Sequence, residues 1–338
     1  AGCLLHVWNH SLFKSLLFFG AGSVLHRTGT REIDRLGGLS KEMPLTAFTF
    51  LIGAAAISGL PPLNGFISEF FIYLGFFRSA GSTEKLLSLS LLAVPVLAMI
   101  GALAVSCFVK VYGAVFSGAP RTDAAENRIE SPPTMVIPMV ILSVFCLVIG
   151  VFPVLSAPFL ERAIDVWQGF SYMPAAITAV SLTALVPFGW LSGIMSAVIL
   201  LFTLLFVIFS RYKRKMERIE GTWDCGYAQP DKRMQYTAGS FARSLTGLFS
   251  WVLKPHENLP RIAESFPAGS CLESHVSDPV LDQVLIPDFN FLRNRARWFF
   301  RFQQGQTQSY VLYLVVALCV LLASMIPFKQ LFIDLFTK

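Results

Sequence analysis

The chain has 338 residues, of which 54% are hydrophobic and only 14% charged, against about 25% charged in soluble domains. This composition excludes a soluble globular domain and implies a polytopic membrane protein. The net charge of +6 lies mostly in the loops between apolar stretches, so it reads as positive-inside anchoring and excludes a nucleic-acid partner. Six cysteines (Cys3, Cys107, Cys146, Cys225, Cys271, Cys319) are scattered without a CxxC or Cys/His cluster, so neither a zinc site nor an iron–sulfur site is expected. The four in apolar segments read as packing residues. The sequence opens at Ala1 within an apolar run and has no basic segment ahead of it. No signal peptide is expected, and the chain reads as the C-terminal part of a longer protein.

A spanning helix needs about 20 apolar residues. The spacing predicts six spans over 4–25, 44–78, 86–116, 134–155, 178–210 and 308–328. In the first, His6, His10 and Lys14 recur at i, i+4 and i+8, about 6 Å apart on one helix face. Histidines exchange protons near neutral pH, and a lysine in a dry setting can join them, so the row suits a proton relay. Asn9 and Ser11 beside it are either further hydrogen-bonding stations or interhelical contacts. His6 and His10 at i, i+4 could approach a zinc ion, but no HExxH glutamate or third ligand is near. No cofactor is expected.

The second span is broken. Between Pro44 and Phe77 the only charged residue is Glu69, just beyond Ser58-Gly59-Leu60-Pro61-Pro62-Leu63-Asn64-Gly65. Two prolines and two glycines free backbone groups that lipid cannot satisfy, so the break must sit inside protein or beside water. A charge at bilayer depth costs about 2.5–3.5 kcal/mol on insertion scales, and a broken helix bearing an acid is a common design for an ion path. Asn64 and Ser68 are placed to solvate Glu69. Lys110, toward the end of the third span, reads as a snorkelling residue in preference to a path member.

Loop charges set orientation. His26, Arg27, Arg31, Arg35 and Lys41 follow the first span, and Arg121 and Arg128 follow the third. Arg211, Lys213, Arg214 and Lys215 follow the fifth, and Arg293, Arg295, Arg297 and Arg301 precede the sixth. The loops after the second span (Glu84, Lys85) and the fourth (Glu161, Arg162, Asp165) are nearly neutral. This alternation places the basic loops in the cytoplasm and Lys338 outside.

Residues 211–307 leave and return on one side, with an ordered loop expected at 221–227. Phe241, Leu245, Leu248, Phe249 and Val252 form one apolar stripe, and Leu281, Val284, Leu285, Phe289, Leu292, Trp298 and Phe299 lie among arginines. The pattern predicts a lateral helix at the membrane interface, interrupted near 255–280 by Pro255, Pro260, Pro267 and Pro279. The alternative is a cytoplasmic loop packed on the protein's own surface.

With these residues in place, a resemblance enters. His6-Val7-Trp8-Asn9-His10-Ser11-Leu12-Phe13-Lys14, followed by Leu17 to Val24, resembles the eleventh transmembrane helix of the antiporter-like subunits. That superfamily includes large membrane subunits of respiratory complex I, Mrp sodium/proton antiporters and membrane-bound hydrogenases. Gly37-Gly38-Leu39, Met43-Pro44 and the run Ile57 to Phe66 with Glu69 resemble its broken twelfth helix, and the match covers roughly residues 1–155. Further on, Thr222-Trp223-Asp224-Cys225-Gly226-Tyr227 and Arg233-Met234-Gln235-Tyr236-Thr237-Ala238 are similar to the branch containing formate hydrogenlyase and hydrogenase-4. That similarity continues through Gln304-Gly305 and Tyr310-Val311-Leu312-Tyr313.

The resemblance implies an all-α bundle of about six spans, one discontinuous, with a lateral helix. Residues 1–155 would be the C-terminal part of a proton-channel domain. Residues 156–338 would be an extension holding the span 178–210, the lateral segment 211–307 and the span 308–328. His6, His10 and Lys14 would lie on the central hydrophilic axis, with Glu69 exchanging protons at the outer end. Some family members carry lysine at that position. The family's glutamate and lysine on the fifth and seventh helices have no counterpart here. The implied function is that of a proton-translocating membrane subunit in a respiratory-type redox complex related to membrane-bound hydrogenase, with no redox site in this chain. Its partners would be other membrane subunits, a peripheral redox arm, the lipid bilayer and protons or Na⁺, in a bacterial or archaeal cytoplasmic (inner) membrane. The rival readings are a stand-alone Na⁺/H⁺ antiporter, a structural membrane anchor and a complex I-type NADH-quinone oxidoreductase subunit.

Overall fold

The computed structural model describes residues 1–79, 89–126, 128–168, 186–215, 235–258, 273–302 and 305–325. The chain divides into two compact units, Ala1–Leu245 and Thr246–Lys338.

The first unit opens with α1 (Gly2–Thr28), 27 residues free of proline, which ends at Gly29 in the left-handed conformation with φ 71° and its N–H on the Leu25 carbonyl. A short turn, α2 (Leu39–Glu42), leads into the broken span, α3 (Pro44–Ile57) and α4 (Asn64–Ser79). The helix is interrupted at Gly59, at φ 63°, and then at Pro61 and Pro62, which carry no N–H to continue a helix. The halves close tightly. A Cβ on Gly65 would strike the Ala56 carbonyl, and one on Gly150 would lie 2.7 Å from the Leu63 carbonyl carbon, so both positions require glycine for backbone approach.

Next come α5 (Ala93–Val115), α6 (Pro133–Val151), α7 (Ala157–Gln168) and α8 (Phe188–Lys215), and α9 (Ala238–Leu248) begins in this unit. α1 is the central post, packed against α3, α4 and α6. It runs antiparallel to the broken span along its whole length. Ser23 meets Thr46, Gly20 meets Phe50, Leu16 and Leu17 meet Gly53, His6 meets Ser68, and Gly2 meets Phe71 and Ile72. Three apolar layers follow this axis. Leu17, Phe50 and Phe116 belong to the layer at the basic-loop end, and Phe13, Ile52 and Met139 to the middle one. Leu5, Ile67 and Leu160 belong to the far layer.

Among the described residues, four helical stretches are long and apolar enough to cross a membrane: Ser90–Val115, Pro133–Val151, Phe188–Arg211 and Thr307–Ser324. They match the third to sixth expected spans, apart from 86–88, 178–185 and 326–328, which lie outside the described residues. The first two expected spans do not qualify alone, for physical reasons. α1 is long but diluted by its polar row, and the break leaves helices of 14 and 16 residues, each short of about 20.

Two expectations need correction. Glu161, Arg162 and Asp165, expected in a loop, stand on α7, an amphipathic helix that buries Ala157 and Leu160. Of the four cysteines expected to pack in apolar segments, only Cys146 is buried, while Cys3, Cys107 and Cys319 are exposed.

The second unit, described by itself, holds α10 (Ser250–Leu253), the strands β1 (His256–Asn258) and β2 (Glu273–His275), α11 (Ile286–Arg295) and α12 (Thr307–Ser324). A π-helical turn, Leu281–Leu285, precedes α11, and a 3-10 stretch, Ala296–Phe302, follows it. β1 and β2 pair antiparallel with His256 opposite His275, a small ladder within the predicted interruption. The expected apolar stripe is only partly covered, since Leu248 is exposed. Pro260, Pro267, the 221–227 loop, Arg233, Met234 and Gln304 lie outside the described residues.

Candidate functional site

The polar residues of α1 divide into an inward and an outward group. Asn9 is fully buried, because the antiparallel crossing places it against the start of α4. Its Nδ2 donates to the Asn64 carbonyl at 2.8 Å. That carbonyl belongs to the first turn after the break, so a side chain of α1 anchors the restart of the helix. Asn64 is itself fully buried, with the Cys146 thiol of α6 beside its amide.

One turn toward the N-terminus of α1, half-buried His6 places Nδ1 3.1 Å from Ser68 Oγ. The Ser68 hydroxyl donates to the Gly65 carbonyl at 2.9 Å, which assigns His6 Nδ1 as the donor toward Ser68. The His10 ring centroid is 6.1 Å from that of His6, and Phe13 sets its ring edge-on to both, at 6.3 and 5.3 Å. His10 and Lys14 are exposed on the surface of this chain, with Lys14 Nζ 5.7 Å from the centre of the Phe18 ring.

Glu69 is half-buried on α4, one residue past Ser68 and so about 100° around the helix. Its carboxylate turns back onto the break: a Cβ built on Gly59 would lie 2.5 Å from Glu69 Oε2. Tyr73 stands one turn further on the same face.

The structure therefore brings His6, Asn9, Asn64 and Ser68 together and places Glu69 beside Gly59. The hydrogen bonds of Asn64 and Ser68 to neighbouring helices go to α1, not to the Glu69 carboxylate. Ser11 is exposed and donates to the Trp8 carbonyl of its own helix at 2.6 Å. Lys110 is half-exposed on α5 and belongs to none of these contacts. A second polar cluster, buried Ser23, Thr46 and Ser131 with half-buried Glu130, lies at the basic-loop end of α1. Its signal in the sequence was slight, since isolated hydroxyls in apolar helices and one loop acid look ordinary until folding joins them. Among the described residues no three His, Cys, Asp or Glu side chains converge as metal ligands.

The same segments are shared with known proteins. Residues 1–94 match the family of NADH:quinone oxidoreductase/Mrp antiporter transmembrane segments. The chain is 34% identical to hydrogenase-4 component B of Escherichia coli K12 over 334 residues, covering 95% of this chain and 49% of that protein. It is 40% identical to formate hydrogenlyase subunit 3 of the same organism over 256 residues, covering 75% of this chain and 40% of that protein. A probable K⁺/H⁺ antiporter component of Rhizobium meliloti is 34% identical over 194 residues, covering 53% of this chain and 19% of that protein. Among solved structures, the archaeal membrane-bound sulfane sulfur reductase complex aligns with a TM-score of 0.49 and 18% identity, covering 95% of this chain and 47% of that one. The chain spans about half the length of the curated relatives it matches. It is a multi-pass membrane protein whose residues 1–94 are similar to the NADH:quinone oxidoreductase/Mrp antiporter transmembrane family.

Proposed function

We propose that the chain works as part of a proton-translocating membrane subunit in a redox complex related to membrane-bound hydrogenase, seated in a bacterial or archaeal cytoplasmic membrane. Protons move along Lys14, His10 and His6 on α1 and exchange at Glu69 on the broken span, bridged by water. The carrying observation is the seating of His6 on Ser68, next in sequence to Glu69, at 3.1 Å. This contact places one end of an ionisable row at the level of the only acid on the broken span.

The exposure of His10 and Lys14 supports the same reading. A lysine facing lipid at bilayer depth costs about 2.5–3.5 kcal/mol on insertion scales, so this face of α1 meets protein or water. In the relay Lys14 and the histidines act as exchangeable carriers, and Glu69 takes or releases the proton beside the opened backbone of Gly59. Asn9 fixes the start of α4 so that Ser68 meets His6. Lys110 snorkels outside the path. The redox chemistry belongs to partner subunits, and their reaction drives transfer through electrostatic or conformational change.

The test uses the complete protein in its complex. Lys14→Ala and Glu69→Gln are expected to keep assembly and to lose redox-driven proton translocation, and full translocation in both contradicts the reading. A second reading, stand-alone cation/proton exchange, is favoured by the similarity to an antiporter component over about half of the chain. It predicts Na⁺/H⁺ exchange in vesicles holding this protein alone.

A further inference from the structure

We infer that Glu130, in the loop before α6, is a positioning residue for this transfer, capping α3 from a distant part of the chain and so fixing where the break lies. The inference rests on the translocation reading above. α3 cannot cap itself. Its N-cap residue is Met43, which makes no side-chain cap hydrogen bond, and the first turn has no acid. Pro44 has no N–H, and the Ala47 N–H already reaches the Met43 carbonyl at 2.9 Å. Two orphan donors remain, those of Leu45 and Thr46. Glu130 Oε2 accepts both, at 2.8 and 3.2 Å, across 85 and 84 residues of sequence.

The other carboxylate oxygen is occupied too. Glu130 Oε1 accepts the Thr46 hydroxyl at 2.6 Å and the Ser131 N–H at 3.0 Å. Four donors thus converge on the two carboxylate oxygens, which face the positive end of the α3 dipole. α1 is tied to the same point. Arg27 Nη2 donates to the Glu130 carbonyl at 2.6 Å, and Ser23 Oγ donates to Ser131 Oγ at 2.6 Å and lies 3.0 Å from Thr46 Oγ1. One residue thus joins α1, α3 and the start of α6.

The consequence is felt at the far end of α3. Its 14 residues make a rod of about 21 Å, pinned at Leu45 and Thr46 and ending at Ser58 and Gly59. Gly59 is the backbone against which the Glu69 carboxylate rests. An axial slip of α3 moves Gly59 away from Glu69 and shifts the Ala56 carbonyl on Gly65. Glu130 touches no group of the path and acts through the position of the break.

Two variants of the complete protein in its complex test this: Glu130→Gln, which is isosteric but turns an amide N–H₂ toward donors, and the milder Thr46→Val, which removes one of the four bonds. Three quantities are read: redox turnover, protons moved per electron pair, and hydrogen exchange of a peptide containing Leu45 and Thr46. Glu130→Gln is expected to keep assembly and turnover, to speed exchange at that peptide, and to lower the proton yield about tenfold or more, the scale of loss from sub-ångström to ångström misplacement. Thr46→Val gives a smaller fall in the same direction. Unchanged proton yield in both variants overturns the inference, and so does loss of assembly in both, which makes Glu130 structural alone. Glu69→Gln is measured alongside. If it translocates normally, the translocation reading and this inference fall together; if it is impaired while Glu130→Gln is normal, only this inference falls.

Discussion

α1 and α12 are both long helices of a membrane chain, yet they are built on opposite principles. α1 carries His6, Asn9, His10 and Lys14 and is packed against α3, α4 and α6. α12 carries no charged residue, and its large side chains are exposed, Leu314 at 72%. In water this would be an inverted protein. In a bilayer it is the expected arrangement, because lipid solvates α12 as well as protein does while polar groups must find one another. The difference teaches that apolarity alone does not locate the core here, since the centre of the first unit is held by the least apolar of its membrane-length helices.

That contrast predicts a steep gradient of mutational sensitivity. The largest effect is expected where backbones touch at the break. Gly65→Ala drives a Cβ into the Ala56 carbonyl, which has no flexible end to move, and should destabilise by about 3 kcal/mol or more. Gly22→Ala, with open space around it, should be near neutral. Thermal unfolding of the detergent-purified complex compares the two, and equal stability would break the picture of a tight junction.

Next comes the inward polar group. Asn9→Ala removes the 2.8 Å bond to the Asn64 carbonyl, which keeps a longer contact from Ser68 Oγ at 3.4 Å, and empties a fully buried site. The expected loss is about 1–3 kcal/mol, seen in the same unfolding assay. The smallest effect belongs to α12: Leu314→Ala exchanges one lipid-facing side chain for another and should cost about 0.5 kcal/mol or less. A loss at Leu314 rivalling that at Asn9 would show that α12 is gripped by protein and would end the comparison.

Much of this was legible in the sequence, for identifiable reasons. The spans announced themselves through length and apolarity, and the break through Gly59, Pro61, Pro62 and Gly65. The i, i+4, i+8 spacing put His6 and His10 close together, and their rings are 6.1 Å apart. Spacing within a helix could not say which helix each side chain would meet. Asn64 and Ser68 stand near Glu69 in sequence yet bond to α1, because the antiparallel crossing sets that partnership. α7 was missed because a 12-residue amphipathic helix leaves only a weak pattern between two apolar spans. Glu130 was missed because its partners, Leu45 and Thr46, lie more than 80 residues away in the chain and offer backbone N–H groups, which no side-chain pattern reveals.

The central claim is that protons pass between the α1 row and the broken span where His6 meets Ser68. His6→Gln tests it most directly, since glutamine keeps a hydrogen-bonding side chain toward Ser68 but cannot carry a proton. In the complete protein within its complex, the account predicts normal assembly and redox turnover with proton yield per electron pair reduced by about 10²-fold, the lower range for loss of a proton-transfer group. A proton yield equal to that of the unmodified protein would contradict it.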